Sequence, residues 1–362
     1  MLKQTVLYPI HLKLRATMGE FAGWNMPLWY KGIHVEHNSV RENVGIFDIS
    51  HMGRLRVKGK NAEELLQRTT TVNIIEIRNL QMKIGFICSE KGGIIDDISV
   101  YRLDNDDFLV VTNAINREKD YDWLKGHGKN LEVTIEDMSD ATAMLTIQGP
   151  KTVAYIKDQF DETLQGLEWF SAKFVEKNAA RILASRSGYT GEDGYELYIW
   201  HQSREEVFKI WNDLIKIGIP PCGLGARDLL RLECGFLLYG MDEDESITPV
   251  ETNRVSFVDM NKEGFIGKHV IEEKVKKGVD KLLVGLLMEE PGVPRHGYYV
   301  WKDDELIGRI TSGNLSPTIN RGIALAYIEK NFAKEGATLH IDIRGKKRKA
   351  RVMFEPFVKR KK

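Results

Sequence analysis

The pattern of predicted secondary structure changes at Gly278, and this change constrains the fold more than any other feature of the sequence. Beyond it, short runs of apolar and β-branched residues follow one another, with turn residues between them. The runs are Lys281–Met288, Gly297–Trp301, Ile307–Thr311, Ile323–Ile328 and Thr338–Ile343. Because short strands at close spacing are typical of small closed sheets, we predict an all-β barrel that begins at residue 278.

The chain before Gly278 mixes helical and strand patterns. Hairpins are predicted where Ile94–Arg102 is followed by Phe108–Thr112, and where Ile182–Ser187 is followed by Tyr195–Trp200. Helices are predicted after Asn61, from Gly149-Pro150, after Ser203, over Ala226–Cys234 and up to Lys277. The stretch Phe21–Trp29 is rich in glycine, proline and aromatic residues, which predicts a packed loop.

The composition excludes several classes of protein. The chain has 362 residues, enough for two or three domains at roughly 150 residues each. Lys and Arg total 52 and Asp and Glu total 52, and this balance argues against a surface that grips nucleic acid or anionic lipid throughout. Leu282–Met288, the longest apolar stretch, is far shorter than the ~20 residues of a membrane span, and Met1–Trp24 lacks the apolar run of a secretory signal. Cys88, Cys222 and Cys234 form no C-x-x-C pair, so we expect a cytoplasmic protein.

Common cofactor and metal motifs are incomplete in this sequence. Gly223-Leu224-Gly225 is followed by Asp228 where a dinucleotide fingerprint needs its third glycine. The sequence has no Walker loop, no G-x-S-x-G elbow and no H-E-x-x-H motif. His34 and His37 could share a helical face as metal ligands, although ordinary surface histidines explain them as well. We therefore expect no built-in nucleotide or metal site.

Two adjacent carboxylates, Asp96 and Asp97, interrupt an otherwise apolar strand. Successive residues of a strand point to opposite faces, so these two side chains cannot both be solvated in the same way. One of them is expected to face a cavity or the interior, where it needs a hydrogen-bond partner or a ligand and could act in acid–base chemistry. A structural aspartate at a turn is the alternative.

The segment Ser187–Glu196 holds three glycines and two tyrosines in ten positions. Glycines let the backbone bend sharply and approach a flat ligand, and tyrosines stack on it. Glu196 ends the segment with a carboxylate that can accept two parallel N–H bonds from the amidine-like edge of a pterin or purine. A plain hairpin turn would explain the glycines but not the aromatic and acidic residues.

Arg227 and Arg231 lie four residues apart, hence on one side of the predicted helix. A guanidinium suits a substrate carboxylate. Asp228 and Glu233 offer ion pairs within the helix instead, and a salt-bridged helix surface remains an open interpretation.

The C-terminal stretch Arg344–Lys362 is strongly basic. A solvated hairpin followed by a frayed tail is the usual meaning of such a run, and a docking patch for an acidic partner is the alternative. RNA binding is less favoured because few aromatic residues interleave with the cations.

Seven blocks of the sequence, in order and at similar spacing, resemble the aminomethyltransferase (T-protein) family of the glycine cleavage system. The blocks are Phe21–Tyr30, Gly45–Gly53, Gly92–Tyr101, Ser187–Glu196, Gly223–Glu233, Leu237–Glu251 and Ile310–Thr318. They run nearly from one end of the chain to the other, which makes the resemblance specific. It implies an α+β fold of three domains, arranged like a cloverleaf around a central tetrahydrofolate site. Two interleaved α+β domains with antiparallel sheets are followed by the C-terminal all-β barrel.

The resemblance also implies domain boundaries and a reaction. Residues 1–50 and 138–250 would form a folate-binding domain, residues 51–137 and 251–277 a second α+β domain with the catalytic aspartate, and residues 278–362 the barrel. The aminomethyl group on the lipoyl arm of H-protein, a transient partner, would pass to the co-substrate tetrahydrofolate, giving 5,10-methylenetetrahydrofolate and ammonia. We expect a monomer or weak dimer, with no metal, nucleic acid or membrane partner.

Matching residues carry over the roles that the family assigns. Asp97 resembles the catalytic carboxylate near the folate nitrogens. Glu196 resembles the residue that grips the pterin edge, and Tyr101 and Tyr189 resemble walls of the same pocket. Arg227 resembles a ligand-binding arginine of that site.

The chain departs from the family at Ile84, where a tyrosine is usual, and at Phe257, where a tryptophan is common. Two alternatives share the fold. One is a folate-dependent demethylase that acts on a free methylated substrate. The other is a non-enzymatic folate-binding relative that assists iron–sulfur assembly, whose signature cysteine is missing from Glu263–Lys268.

Overall fold

The computed structural model describes residues 1–354 and 356–359. Its helices are α1 (Tyr8–Lys13), α2 (Ile33–Glu42), α3 (Ala62–Thr69), α4 (Arg117–His127), α5 (Thr152–Gln159), α6 (Arg204–Lys216), α7 (Leu224–Glu233) and α8 (Lys268–Lys277). Its strands are β1 (Thr17–Phe21), β2 (Trp24–Trp29), β3 (Gly45–Asp48), β4 (Gly53–Lys58), β5 (Met82–Cys88), β6 (Ile94–Asp104), β7 (Asp107–Thr112), β8 (Thr134–Asp137), β9 (Thr142–Gln148), β10 (Ala172–Lys177), β11 (Ala180–Ser185), β12 (Gly194–Trp200), β13 (Lys281–Met288), β14 (Tyr299–Lys302), β15 (Glu305–Ser316), β16 (Arg321–Glu329), β17 (Thr338–Ile343) and β18 (Lys346–Met353). None of the helices in the described ranges has the length and apolar character needed to cross a membrane.

The chain divides into two compact units, each built from two separate stretches of sequence. The first comprises Met1–Gly85 and Asp97–Arg227, and the second comprises Phe86–Asp96 and Asp228–Lys362. The chain passes from one unit to the other within β5, β6 and α7. The division into three domains that the resemblance implies stays a prediction.

An antiparallel sheet in the order β10-β11-β12-β9-β3 organises the larger core of the first unit. On one face, apolar residues of β9 and β12 pack against α6, where Val207, Ile210, Trp211 and Leu214 are buried. Because side chains alternate along a strand, the residues between them point to the other face. That second face carries buried polar side chains, among them Gln148 and Glu196.

A second five-stranded sheet has the order β5-β6-β7-β4-β8. Strands β6 and β7 form the predicted hairpin, paired from Ser99 opposite Val111 to Asp104 opposite Asp107. Two polar residues, Asn105 and Asp106, make the turn between them. This hairpin fixes the strand that carries Asp97.

The predicted barrel is confirmed by a closed sheet in the order β13-β16-β15-β14-β17-β18. Its interior is filled by alternate apolar residues, such as Val284, Leu286 and Met288 on β13. Leu283 and Leu325 point the other way and pack with Leu232 of α7 and with Phe357. Together with the antiparallel sheets, the barrel confirms the predicted mixed fold class.

The basic C-terminal stretch begins as a hairpin, because β18 pairs with β17 along its length. Some of its cations have partners: Lys347 lies 3.0 Å from Asp304, and Arg351 lies 3.0 Å from Glu289. The last predicted cations, residues 360–362, lie outside the described residues. A docking patch for an acidic partner stays a prediction.

The predicted packed loop over Phe21–Trp29 is wrong, because Trp24–Trp29 is strand β2 and pairs with β1. The turn consists of Ala22 and Gly23, with φ of 50° and 80°, and two successive left-handed residues suit the twist of a tight hairpin. Pro27 is tolerated because both strands of a two-stranded sheet are edges, so its missing N–H interrupts no central ladder.

The other predicted elements are found close to their predicted bounds. Helices begin after Asn61 and after Ser203, and α8 ends at Lys277 as predicted. Pro150 was expected at the first helical position, but α5 begins two residues later, at Thr152.

Asp48, at the end of β3, is a buried carboxylate that ties the N-terminal residues to the first unit. Its Oδ2 accepts a hydrogen bond from Thr5 Oγ1 at 2.7 Å and lies 2.8 Å from His11 Nε2. Its Oδ1 accepts from the backbone N–H of Ser50 at 2.9 Å. Burial alone would raise the pKa of Asp48, but the hydrogen bonds and charge of His11 and the bonds from Ser50 and Thr5 outweigh it and lower the pKa to about 2.

We expect Asp48→Asn to destabilise the protein at pH 7 by roughly 2 kcal/mol, since each unit of pKa shift corresponds to about 1.4 kcal/mol. The folded pKa is depressed, so this stabilisation is present above the unfolded pKa and is lost as the pH falls toward 2. Urea unfolding of wild type and variant at pH 7, 5 and 3 should show a difference in the free energy of unfolding that becomes smaller as the pH falls. Asp158→Asn, at an exposed aspartate, is the control. A difference in the free energy of unfolding for Asp48→Asn that does not change with pH would contradict the stabilising role of the ionised Asp48.

Candidate functional site

The two adjacent aspartates of β6 lie in different environments, as the strand period predicted. Asp96 has no exposed surface, whereas Asp97 is half-buried. Asn113, just after β7, donates its side-chain amide to Oδ1 of Asp97 at 2.5 Å and to its backbone carbonyl at 3.2 Å. Because side chains alternate along a strand, Asp97 lies on the same face of β6 as Tyr101. Tyr101 is about 13 Å further along at the ordinary rise of a strand.

The glycine-rich segment predicted as a binding loop is the connection between β11 and β12, and Gln148 fixes its backbone. The Gln148 amide, fully buried, donates to the carbonyl of Ser187 at 3.0 Å and accepts from Thr190 Oγ1 at 2.7 Å. A Cβ at Gly188 or Gly194 would collide with that amide, so glycine is required at both positions. The loop is held tightly by one side chain of the neighbouring strand β9.

Arg41 of α2 fixes the tip of the same loop. Its Nη1 donates to the carbonyl of Thr190 at 2.6 Å and to Oε1 of Glu192 at 2.9 Å. Arg41 and Glu192 are both nearly buried, and such an ion pair is screened little by solvent. The loop backbone is thus ordered before any ligand is present.

Behind the loop, a cluster of hydroxyl groups holds the carboxylate of Glu196. Ser187 Oγ donates to Oε2 of Glu196 at 2.8 Å, and Tyr198 donates its hydroxyl to the same oxygen at 3.3 Å. The Tyr101 hydroxyl lies 3.1 Å from that of Tyr198 and donates to Ser185 Oγ at 3.1 Å. The other carboxylate oxygen, Oε1, accepts no hydrogen bond from the described residues. One oxygen of Glu196 is anchored and the other is left for a ligand.

Both tyrosines of the cluster stay protonated. Burial and then the negative charge of Glu196 raise the pKa of Tyr101 and of Tyr198 above the ordinary value for tyrosine. Their rings meet edge to face, with centroids 5.4 Å apart. They therefore remain hydrogen-bond donors, and a carboxylate needs donors when it is buried.

Arg227 lies over Tyr189, with its guanidinium carbon 4.6 Å from the ring centroid. Its Nη1 is buried and has no hydrogen-bond partner in the described part of the chain. Burial lowers the pKa of Arg227 from its ordinary value, and Tyr189, Glu196 and Tyr198 act in the opposite direction. The guanidinium therefore keeps one donor, Nη1, that no described residue occupies.

Arg231, four residues further on, has taken the structural role that the sequence left open. Its guanidinium donates to Asp228 at 2.8 Å, to Asp242 at 2.6 Å and to Ser312 at 2.9 Å. Glu233 accepts a hydrogen bond from Thr318 Oγ1 at 3.0 Å. Arg231 is a satisfied, buried residue of the second unit.

Within the first unit, the structure links Tyr101 to Glu196 through Tyr198, and places the Arg227 guanidinium on the ring of Tyr189. The role of each, and that of Asp97, stays a prediction. Tyr198 was not among the predicted site residues, although it lies two positions after Glu196 on the same strand face and the period of two could have revealed it. No such pattern marks Gln148, whose importance depends on glycines 40 and more residues away.

The possible histidine metal pair is not supported by burial, because His34 is exposed and His37 is buried. Residues 1–354 and 356–359 contain no group of three or more His, Cys, Asp or Glu side chains placed to hold a metal ion.

Family models cover most of the chain. The GCVT N-terminal domain matches residues 7–262, and the glycine cleavage T-protein C-terminal barrel domain matches residues 281–359. The second match begins close to Gly278, where the pattern of predicted secondary structure changes, and it covers the observed barrel.

Relatives match over the full length. Aminomethyltransferases of Caldanaerobacter subterraneus subsp. tengcongensis and Thermotoga neapolitana are each 41% identical, with coverage of 99% and 98% of this chain and 96% and 98% of theirs. The crystal structure of the glycine cleavage system aminomethyltransferase T from Bartonella henselae has a TM-score of 0.90 and 31% identity, and covers 99% of both chains. These matches confirm the predicted resemblance and function. The chain therefore belongs to the T-protein family of the glycine cleavage system and is an aminomethyltransferase.

Proposed function

We propose that this aminomethyltransferase takes its aminomethyl group from the lipoyl arm of H-protein and passes it to tetrahydrofolate. The products would be 5,10-methylenetetrahydrofolate, ammonia and dihydrolipoyl H-protein. Tetrahydrofolate supplies the amine nitrogens that take up the carbon, so the protein supplies mainly orientation and electrostatics. The observation that carries the proposal is that, among the described residues, Oε1 of Glu196 accepts no hydrogen bond and the buried Nη1 of Arg227 donates none.

These two side chains fit the edge of a reduced pterin. That edge presents an amino group and the N3–H as donors, followed by the C4 carbonyl as an acceptor. Glu196 can accept from the donors with Oε1, while Oε2 stays on Ser187 and Tyr198. Arg227 can donate from Nη1 to the carbonyl, and this would satisfy a group that is otherwise buried without a partner.

We assign the two tyrosines to the walls of the pocket. Tyr189 is half-buried, and its ring carries the Arg227 guanidinium on one face. Tyr101 is fully buried and supports Tyr198 through its hydroxyl and its ring. In this arrangement Tyr189 orients Arg227 and Tyr101 orients the cluster that anchors Glu196.

Asp97 is proposed as the catalytic carboxylate. It is half-buried, and Asn113 donates a hydrogen bond to its Oδ1 at 2.5 Å, which orients the carboxylate. A carboxylate so oriented can hold or move a proton while ammonia leaves. The orientation is set by the protein before substrate binds.

The remaining predictions concern the setting of the reaction. We propose a cytoplasmic location, which three free cysteines support, because a reducing compartment keeps thiols unpaired. We also propose a monomer or weak dimer that meets H-protein transiently.

Asp97→Asn should separate binding from turnover. The amide keeps the shape of the carboxylate but cannot hold or move the proton, so ammonia release from aminomethylated H-protein should fall about 100-fold or more. Tetrahydrofolate affinity, measured by calorimetric titration, should change less than about threefold. Asp106→Asn, exposed in the turn of the same hairpin, is the matched control. Undiminished turnover in Asp97→Asn would remove the role assigned to this residue.

Glu196→Gln should weaken tetrahydrofolate binding. The variant removes the charge that strengthens the bonds to the pterin donors, so Kd should rise about tenfold or more. Glu176→Gln, an exposed carboxylate on β10, should bind like wild type. Equal affinity of Glu196→Gln and wild type would show that the pterin edge lies elsewhere.

A further inference from the structure

Glu36, near the start of α2, is a buried carboxylate that has no part in the proposed ligand contacts. It is 2% exposed. Its Oε1 accepts the backbone N–H groups of Tyr30, Lys31 and Gly32, at 2.6, 2.8 and 3.2 Å. Its Oε2 accepts the backbone N–H of Gly223 at 2.8 Å. Glu36 thus joins two stretches of backbone that are far apart in the sequence.

The backbone at Gly223 is fixed from two further directions. A Cβ at this position would collide with the carbonyl of Leu28, so the two backbones are in close contact and glycine is required. The preceding residue, Cys222, donates its backbone N–H to the carbonyl of Ile46 on β3 at 2.8 Å. The N–H of Gly223 is therefore presented to the Glu36 carboxylate by an ordered backbone.

Gly223 immediately precedes α7, and Arg227 lies in the first turn of that helix. The backbone N–H of Arg227 donates to the carbonyl of Gly223 at 3.3 Å. A carboxylate at the N-terminal end of a helix satisfies N–H groups that have no partner within the helix, and it complements the helix dipole. The Glu36 carboxylate therefore fixes the end of α7 that carries Arg227.

Helix α2 also holds the backbone beside Tyr189. Arg41, five residues after Glu36, donates to the carbonyl of Thr190 at 2.6 Å. The ring of Tyr189 lies under the Arg227 guanidinium, with 4.6 Å between the guanidinium carbon and the ring centroid. One helix thus holds the backbone next to both partners of this stack, through two of its buried side chains.

The position of this stack matters because Nη1 of Arg227 is buried without a partner among the described residues. A long arginine side chain loses rotamer entropy when it is ordered. Where the protein orders the side chain in advance, a ligand that accepts a hydrogen bond from it binds without that loss.

We propose that Glu36 is a positioning residue for substrate binding: it fixes the start of α7 and thereby holds the Arg227 guanidinium on Tyr189, with Nη1 directed to an acceptor of the ligand. This inference rests on the proposed function, in which that acceptor is the C4 carbonyl of the pterin. Because Glu36 acts through Arg227, its loss weakens binding and leaves the proton transfer at Asp97 unchanged.

The first test uses Glu36→Gln in the full chain. The amide has the shape of the carboxylate but only one acceptor oxygen, so it cannot accept from both stretches of backbone at once. Kd for tetrahydrofolate should rise about fivefold or more in calorimetric titration, whereas kcat for ammonia release at saturating tetrahydrofolate should stay within about twofold. A merely structural role would lower the binding stoichiometry and kcat together and leave Kd at the wild-type value.

A double-mutant cycle shows whether Glu36 acts through Arg227. Arg227→Met should raise Kd about tenfold or more, because it removes the donor. In that background Glu36→Gln should raise Kd by less than about a further twofold, since the side chain that it positions is gone. Glu42→Gln, at an exposed carboxylate on the same helix, is the matched control and should bind like wild type.

The outcomes separate this inference from the proposed function. The inference is overturned if Glu36→Gln keeps the wild-type Kd, or if its effect is undiminished in the Arg227→Met background. If Glu36→Gln does not fold, Glu36→Asp gives the same test, because it keeps the charge but is one methylene too short to reach both backbones, and the same rise in Kd is expected. If Arg227→Met itself binds like wild type, the role proposed for Arg227 fails and the inference falls with it.

Discussion

The hydrogen bonds that fix one oxygen of Glu196 are the interaction on which the site depends. A carboxylate that is 9% exposed needs donors to replace lost water, and Ser187 and Tyr198 provide them. Because both donors act on the same oxygen, the carboxylate is fixed in orientation while its second oxygen stays available. Strands β11 and β12 of one sheet and Tyr101 on β6 of the other sheet meet at this point. Strands of both sheets therefore determine the orientation of the Glu196 carboxylate.

The first unit also contains buried polar atoms that pair with no described residue, where a stable core would pair them. The Nη1 of Arg227 and the Nδ1 of His51 are both buried and unpaired among the described residues. Such atoms reduce the stability of the folded chain, and proteins retain them chiefly where function requires them. By contrast, Arg54 and Arg231 are 1% and 2% exposed and each donates to several acceptors, which marks them as supports.

Much of the fold could be predicted because its signals are local. The short apolar runs beyond Gly278 predicted the barrel, and the polar turn at Asn105 predicted the β6–β7 hairpin. The hairpin at Phe21–Trp29 was missed because the first residue of its turn is Ala22, and alanine rarely takes the left-handed backbone that it has here. At the site, Asp97 and Glu196 were conspicuous as carboxylates within apolar strands. Gln148 was not, since its partners Ser187 and Thr190 lie far away in the sequence and only the folded chain brings them together.

The Gln148 amide has a consequence for the kinetics of recognition. It orders the loop from Ser187 to Gly194 during folding, through Ser187 and Thr190 on one side and two glycines on the other. A molecule that arrives at this loop finds its backbone already in place, so little conformational entropy is lost at the moment of encounter. Association with such a surface is governed by diffusion and orientation of the incoming molecule, and loop closure sets no separate slow step.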